Sequence, residues 1–163
     1  MSTSRREGLA TLFVTIQFLA LGLLFLSDLL SNKGSTHEYL LLESMCIGIG
    51  SFIILFAAPS LKPSLRISPI PKKDSPLKES GIYKYVRHPM YLGVILIGFG
   101  FSAYANNNFT WIVELILILD LNLKARFEDQ LLIELHPESL HYQLHTSRII
   151  PCTSQSCRKN CSF

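Results

Sequence analysis

Two clusters of side chains in this 163-residue sequence are equipped for chemistry. The first is the run Gly81, Ile82, Tyr83, Lys84, Tyr85, Val86, Arg87, His88, Pro89, Met90, Tyr91, Leu92, Gly93, where two cations, three phenols, a histidine and a proline stand together. The second is Lys124, Arg126, Glu128 and Asp129. Tyrosine and arginine at a membrane boundary serve as plain interfacial anchors, and proline suits the first turn of a helix. An anchor has no particular use for His88 beside Pro89. Lys124 and Glu128 are four apart, hence on one helix face, where an exposed ion pair is worth roughly a few tenths of a kcal/mol. Brought together, the two clusters would place cations, an imidazole and carboxylates around one pocket, the groups needed to hold a small charged molecule and to move a proton.

The elements that must position these residues are set by composition. Hydrophobic residues make up 48% of the chain, charged residues 17%, and the mean hydropathy is +0.32. A soluble domain usually carries about a quarter charged residues. The length suits one domain, taken as residues 1–151 with a cysteine-containing tail at 152–163. A net charge of +3 falls short of the basic surface that nucleic-acid binding needs, so no nucleic-acid partner is expected.

Residues 9–30 form an apolar stretch that rises about 33 Å as a helix, enough for a bilayer core. It is too long for a signal-peptide core and is expected to be retained. Further spans are expected at 39–58, 90–105 and 109–123. The last two are short and separated only by Asn106, Asn107 and Asn108, which predicts a tight helical hairpin that crosses the bilayer or dips into it. With both termini cytoplasmic, 14 of the 15 Lys and Arg residues fall inside and only Lys33 outside, in the sense of the positive-inside rule. Five of the eight prolines lie in 59–80, predicting an extended cytoplasmic connector. Beyond the fourth span the helical spacing runs on from Lys124 to Leu135 and Pro137 stops it. The expected fold is all-α: an integral membrane protein of about four transmembrane helices with a cytoplasmic C-terminal helix.

Other features carry less. Cys152, Cys157 and Cys161 lack zinc-knuckle spacing and read as free thiols, and Cys161 is misplaced for prenylation. His136, His141 and His145 read as a solvated helix face, so no metal is expected. Cys46 reads as packing. Glu43, Glu114 and Asp120 are acids within spans, where such groups face a cavity or a partner. Asp120, near the cytoplasmic end, would border the pocket, whereas Glu114 has no assigned place.

The run from Gly81 to Gly93 resembles the Gly-x-Tyr-x-x-x-Arg-His-Pro-x-Tyr-x-Gly signature of the isoprenylcysteine carboxyl methyltransferase family, which is related to the phospholipid methyltransferases. Glu128 and Asp129 stand where that family has paired acids, followed at similar intervals by Leu132, Pro137, Glu138, Tyr142, Arg148 and Pro151. The resemblance covers residues 69–151. It implies an integral-membrane, S-adenosylmethionine-dependent methyltransferase whose lipophilic or small acceptor enters from the bilayer: a prenylcysteine carboxylate, a thiol or a phospholipid amine. Carried over, Tyr83, His88, Pro89, Met90, Tyr91 and Glu128 would line the cofactor pocket, with Leu77 and Lys78 adding backbone contacts. Glu128, His88 and Arg87 are the expected catalytic residues, Glu128 or His88 taking the proton of an amine acceptor. Lys124 stands where the family carries an arginine that holds a substrate carboxylate, and Arg126 is its neighbour, so these two are the expected substrate contacts. Lysine lacks the planar two-point grip of arginine, which weakens the expectation of a prenylcysteine. Two other readings stay open: a membrane NADPH-dependent reductase of the steroid-reductase type, against which Val94 stands where those enzymes tend to have an acid, and a non-catalytic membrane partner protein.

Overall fold

The computed structural model describes residues 3–31, 37–61 and 81–151, and these are helical almost throughout. The elements are α1 (Thr3–Leu29), α2 (His37–Ala57) ending in a 3₁₀ turn (Ala58–Leu61), a second 3₁₀ turn (Gly81–Lys84), α3 (Pro89–Ala105), α4 (Asn108–Leu135) and α5 (Ser139–His145). The connector prolines from Pro63 to Pro76, Leu77, Lys78 and the three tail cysteines lie outside the described residues.

α1 and α2 are each long and apolar enough to cross a bilayer; α3 is apolar but shorter. Their outward faces are apolar too, with Phe18, Leu19, Phe25, Leu41, Phe52 and Leu55 all exposed. So continuous an apolar exterior suits lipid rather than water. Each helix reaches past its apolar run, because the residues flanking a span still favour helix. α1 therefore begins at Thr3, ahead of Arg5 and Arg6, and α4 continues without a break through Lys124 and Glu128. The 28 residues of α4 rise about 42 Å, well over a hydrocarbon core of about 30 Å.

The α3–α4 hairpin turns on its asparagines. Asn106 closes α3 in the left-handed region (φ 40°), its N–H donating to Ser102 O at 2.9 Å, while the Asn107 side chain caps α4 by accepting from Thr110 N–H at 2.9 Å. Asparagine is among the few residues suited to both positions. α2 packs along α3 on a small-residue seam: a Cβ on Gly93 would fall 2.7 Å from Gly50 O and 2.6 Å from Ile54 Cγ1. Such contacts let membrane helices approach closely where no hydrophobic driving force acts between them. α1 lies antiparallel to α4, matched along its length by Arg6–Glu134 (2.8 Å), the Phe13–Phe127 rings (6.0 Å), Gln17–Lys124 (2.9 Å) and Ser27–Asn107 (3.5 Å). Ala20, Leu24, Val113, Leu117 and Leu121 fill the space between them. This register brings the inward stripe of α4 against α1 and α3.

Replacing Gly93 by alanine is expected to lower stability by about 1–3 kcal/mol, because Gly50 O and the Ile54 side chain must both give way. A melting temperature in detergent equal to that of the parent protein would show that α2 and α3 do not pack this closely.

Candidate active site

Residues 85–88 are tied into the C-terminal segment by backbone bonds. Arg87 N–H donates to Ser147 O and His88 N–H to Arg148 O, both at 2.9 Å, and Ser147 N–H returns to Tyr85 O at 3.3 Å. Tyr142 of α5 donates its hydroxyl to Tyr83 O at 2.6 Å. Pro89 then starts α3, where its missing N–H costs nothing. The loop is thereby fixed from both sides, and His88 is presented to α4.

His88 lies between the paired acids. Its Nε2 is 3.0 Å from Asp129 Oδ1 and its Nδ1 is 3.3 Å from Glu128 Oε2. Two carboxylates facing both ring nitrogens require an imidazolium. Burial alone disfavours that charge, but the hydrogen bonds and charges of Asp129 and Glu128 outweigh it and raise the His88 pKa to about 9. Asp129 also receives Arg87 Nη2 at 3.1 Å and Arg148 Nε at 3.0 Å, both on Oδ2. Burial pushes the Asp129 carboxyl up, but His88, Arg87 and Arg148 together hold it below the usual range.

Glu128, one position earlier on α4, faces a different neighbour. Its Oε1 accepts the Tyr91 hydroxyl at 2.5 Å, and the Tyr91 ring stacks on the His88 imidazole with centroids 5.2 Å apart. Lys124 Nζ lies 5.0 Å from the centre of the same Tyr91 ring and donates to Gln17 Oε1 of α1 at 2.9 Å. Asp120, one turn further along α4, is buried, with Oδ2 unpartnered among the described residues. The two sequence clusters thus meet in one polar cluster, to which α1 adds Gln17 and α3 adds Tyr91.

Several expected site residues have other surroundings. Arg87, expected to be catalytic, is buried: its guanidinium pairs with Asp129 and donates to Gln143 O and to Thr146 O (3.1 Å). His88, expected as one of two proton acceptors, has one ring nitrogen 3.0 Å from Asp129 Oδ1 and the other 3.3 Å from Glu128 Oε2, an arrangement that favours the charged ring. Tyr83 is buried with its hydroxyl turned to Ala57 O at the end of α2, 3.4 Å away, and burial pushes its pKa up to about 12. Arg126 is exposed, since two residues carry it about 200° around the helix from Lys124. Lys124 itself is buried and forms no ion pair with Glu128 among the described residues, in contrast to the exposed pair that the spacing suggested. Pro89 is buried and Met90 half-buried, directly after His88 in the chain. Gln17 was not among the expected residues, although it is the one amide in residues 9–30 and a polar group at that depth calls for a partner.

The profile of the phospholipid methyltransferase family matches residues 41–139, more than half of the chain. The chain belongs to this family. No curated protein and no solved structure matches it. Membership makes the protein one of a family of membrane methyltransferases, in keeping with the two long apolar helices. The matched region contains His88, Tyr91, Lys124, Glu128 and Asp129, whereas Gln17 and Arg148 lie outside it.

The ion-pair cluster sets a pH window. His88 has a raised pKa, so its contribution to stability is full below about 6.5 and is lost as pH rises through about 9. Asp129 has a lowered pKa, so its contribution is present above about 3.8 and is lost as pH falls. In detergent the melting temperature is expected to decline between pH 6.5 and 9, and His88→Gln to remove that decline while lowering the pH 6 value by about 5 °C. A decline of equal size in the variant would assign it to another group. Asp129→Asn is expected to cost about 3–5 kcal/mol, since Arg87 and Arg148 then stay buried without their counter-charge.

Proposed function

We propose that the protein is a multi-pass membrane methyltransferase that uses S-adenosylmethionine to methylate the amine of a phospholipid. The observation that carries this reading is the cluster in which His88 and Tyr91 of the motif meet Glu128 of α4. α1 and α2 are joined in the proposal by α3 and α4 as further crossings, with both termini on the cytoplasmic side. What supports that orientation is the charge asymmetry of the sequence.

The donor set suits the methyl donor chemically. S-adenosylmethionine brings a carboxylate and two positive centres, and when bound it supplies an activated methyl for in-line displacement. Glu128 is the least buried carboxylate of the cluster, with its side chain 23% exposed, and would balance a positive centre. Arg148 Nη1 is a buried donor without a partner among the described residues, a feature suited to a carboxylate. The stacked faces of His88 and Tyr91 give a flat wall, and the surrounding apolar helices keep water out. Displacement of this kind needs alignment and dryness more than a protein nucleophile. Among acceptors, the family match supports a phospholipid amine over a thiol or a prenylcysteine carboxylate. The absence of the arginine fork at Lys124 points the same way.

Titration of the purified protein with S-adenosylhomocysteine is expected to give micromolar binding, and titration with NADPH none. Glu128→Ala is expected to weaken that binding at least tenfold by removing a charged contact in a partly dry site. Binding of NADPH alone would support a reductase instead, and binding of neither would leave a partner protein.

A further inference from the structure

Asp120, Lys124 and Glu128 follow one another at four-residue intervals on α4, so Lys124 has a carboxylate one turn away on either side. Burial strengthens the attraction in both directions, because the local dielectric is low. Lys124 nevertheless closes on neither acid among the described residues. Its ammonium crosses to α1 and donates to Gln17 Oε1 at 2.9 Å, above the Tyr91 ring.

Two acids of α4 have buried oxygens with no partner among the described residues, Glu114 and Asp120, and of these two it is Asp120 that lies one turn from Lys124. Both oxygens of Glu128 are engaged, one by Tyr91 and one by His88. Both oxygens of Asp129 are engaged, by His88 and by Arg87 with Arg148. Asp120 is 5% exposed and its Oδ2 is buried with no hydrogen-bond partner among the described residues. A buried carboxylate in that condition is costly unless something completes it. The groups that bear on it electrostatically are Lys124 of its own helix and Tyr91 of α3, while α1 contributes the uncharged Gln17.

A proton acceptor is what the proposed reaction lacks. At neutral pH a lipid amine arrives as an ammonium with no lone pair, and His88 already faces a carboxylate oxygen at each ring nitrogen. We propose that Asp120 takes the proton from the amine acceptor, and that Gln17 is a positioning residue that keeps Asp120 available by holding Lys124 away from it. This rests on the methyltransferase reading above. The ammonium N–H bond breaks with its proton passing to the Asp120 carboxylate. The freed nitrogen pair forms the N–C bond as the S–C bond of the sulfonium breaks and its electrons leave on sulfur as a neutral thioether. The proton on Asp120 is then released to water, so one proton leaves per methyl transferred.

The test uses the full-length protein in detergent micelles, with S-adenosylhomocysteine as binding probe and labelled-methyl transfer to phosphatidylethanolamine as turnover, from pH 6 to 10. Asp120→Asn is expected to keep S-adenosylhomocysteine affinity within twofold, to lose at least 100-fold in kcat at pH 7, and to recover as pH approaches the amine's own pKa of about 10. Gln17→Leu, which leaves the carboxylate in place, is expected to lose about tenfold in kcat with a shifted pH profile, as Lys124 moves onto Asp120. Gln17→Glu is expected to restore the rate by holding Lys124 again. Parental kcat and pH profile in both Asp120→Asn and Gln17→Leu, or transfer by the parent protein to a carboxylate acceptor only, overturns the assignment of Asp120 while the methyltransferase reading stands. If Asp120→Asn does not fold, the two Gln17 variants decide by the same criterion. Failure of the parent protein to bind S-adenosylhomocysteine overturns the underlying reading and this proposal with it.

Discussion

One carboxylate holds the site together. Asp129 lies on α4, yet the three cations that surround it come from elsewhere: Arg87 and His88 from the loop before α3, and Arg148 from the segment after α5. Burying three positive charges side by side is prohibitive without a counter-charge. Because Asp129 satisfies all three at once, the loop, the helix and the C-terminal strap can occupy the same volume. The backbone bonds between residues 85–88 and 147–148 then lock the arrangement, so the position of His88 follows from the position of Asp129.

The rest of the bundle provides a rigid axis for that carboxylate. α4 runs unbroken from the asparagine turn to Leu135, so its inward stripe carries Asp120, Lys124 and Glu128 in fixed succession from the apolar core to the clasp. α3 is placed against it by the hairpin at one end and by His88 at the other. α1 completes the wall, and its register against α4 decides that Gln17 rather than a leucine meets Lys124.

Much of this was legible in the residues. The asparagine turn was visible because Asn106 and Asn107 match the conformational demands of a C-cap and an N-cap. The stop at Pro137 and the pairing of the His88 and Glu128 clusters were visible because residue type and spacing encode them. The contact between Lys124 and Gln17 was not. It depends on how α1 rotates about its own axis, and a helix that is apolar on every side gives no amphipathic signal to fix that rotation. The surroundings of Arg87 were hidden for a related reason: the carbonyls of Gln143 and Thr146 that accept from it lie about sixty residues away in the chain.

Adjacent acids on a helix are not equivalent, and here the difference separates structure from reaction. A step of one residue turns the side chain by about 100°, so Glu128 and Asp129 face different surroundings although one imidazolium touches both. Asp129 points to the clasp, where two guanidinium groups saturate it and its side chain is 6% exposed. Glu128 points to Tyr91, which is neutral and with His88 makes up its partners among the described residues, and it keeps more of its surface open. The shared imidazolium couples the two. A ligand cation that draws Glu128 toward itself loosens one of the two bonds that keep His88 charged, but the bond to Asp129 remains. The bonds around Asp129 therefore persist while Glu128 adjusts, and under the proposed function the same pair of acids serves as anchor and as binding surface.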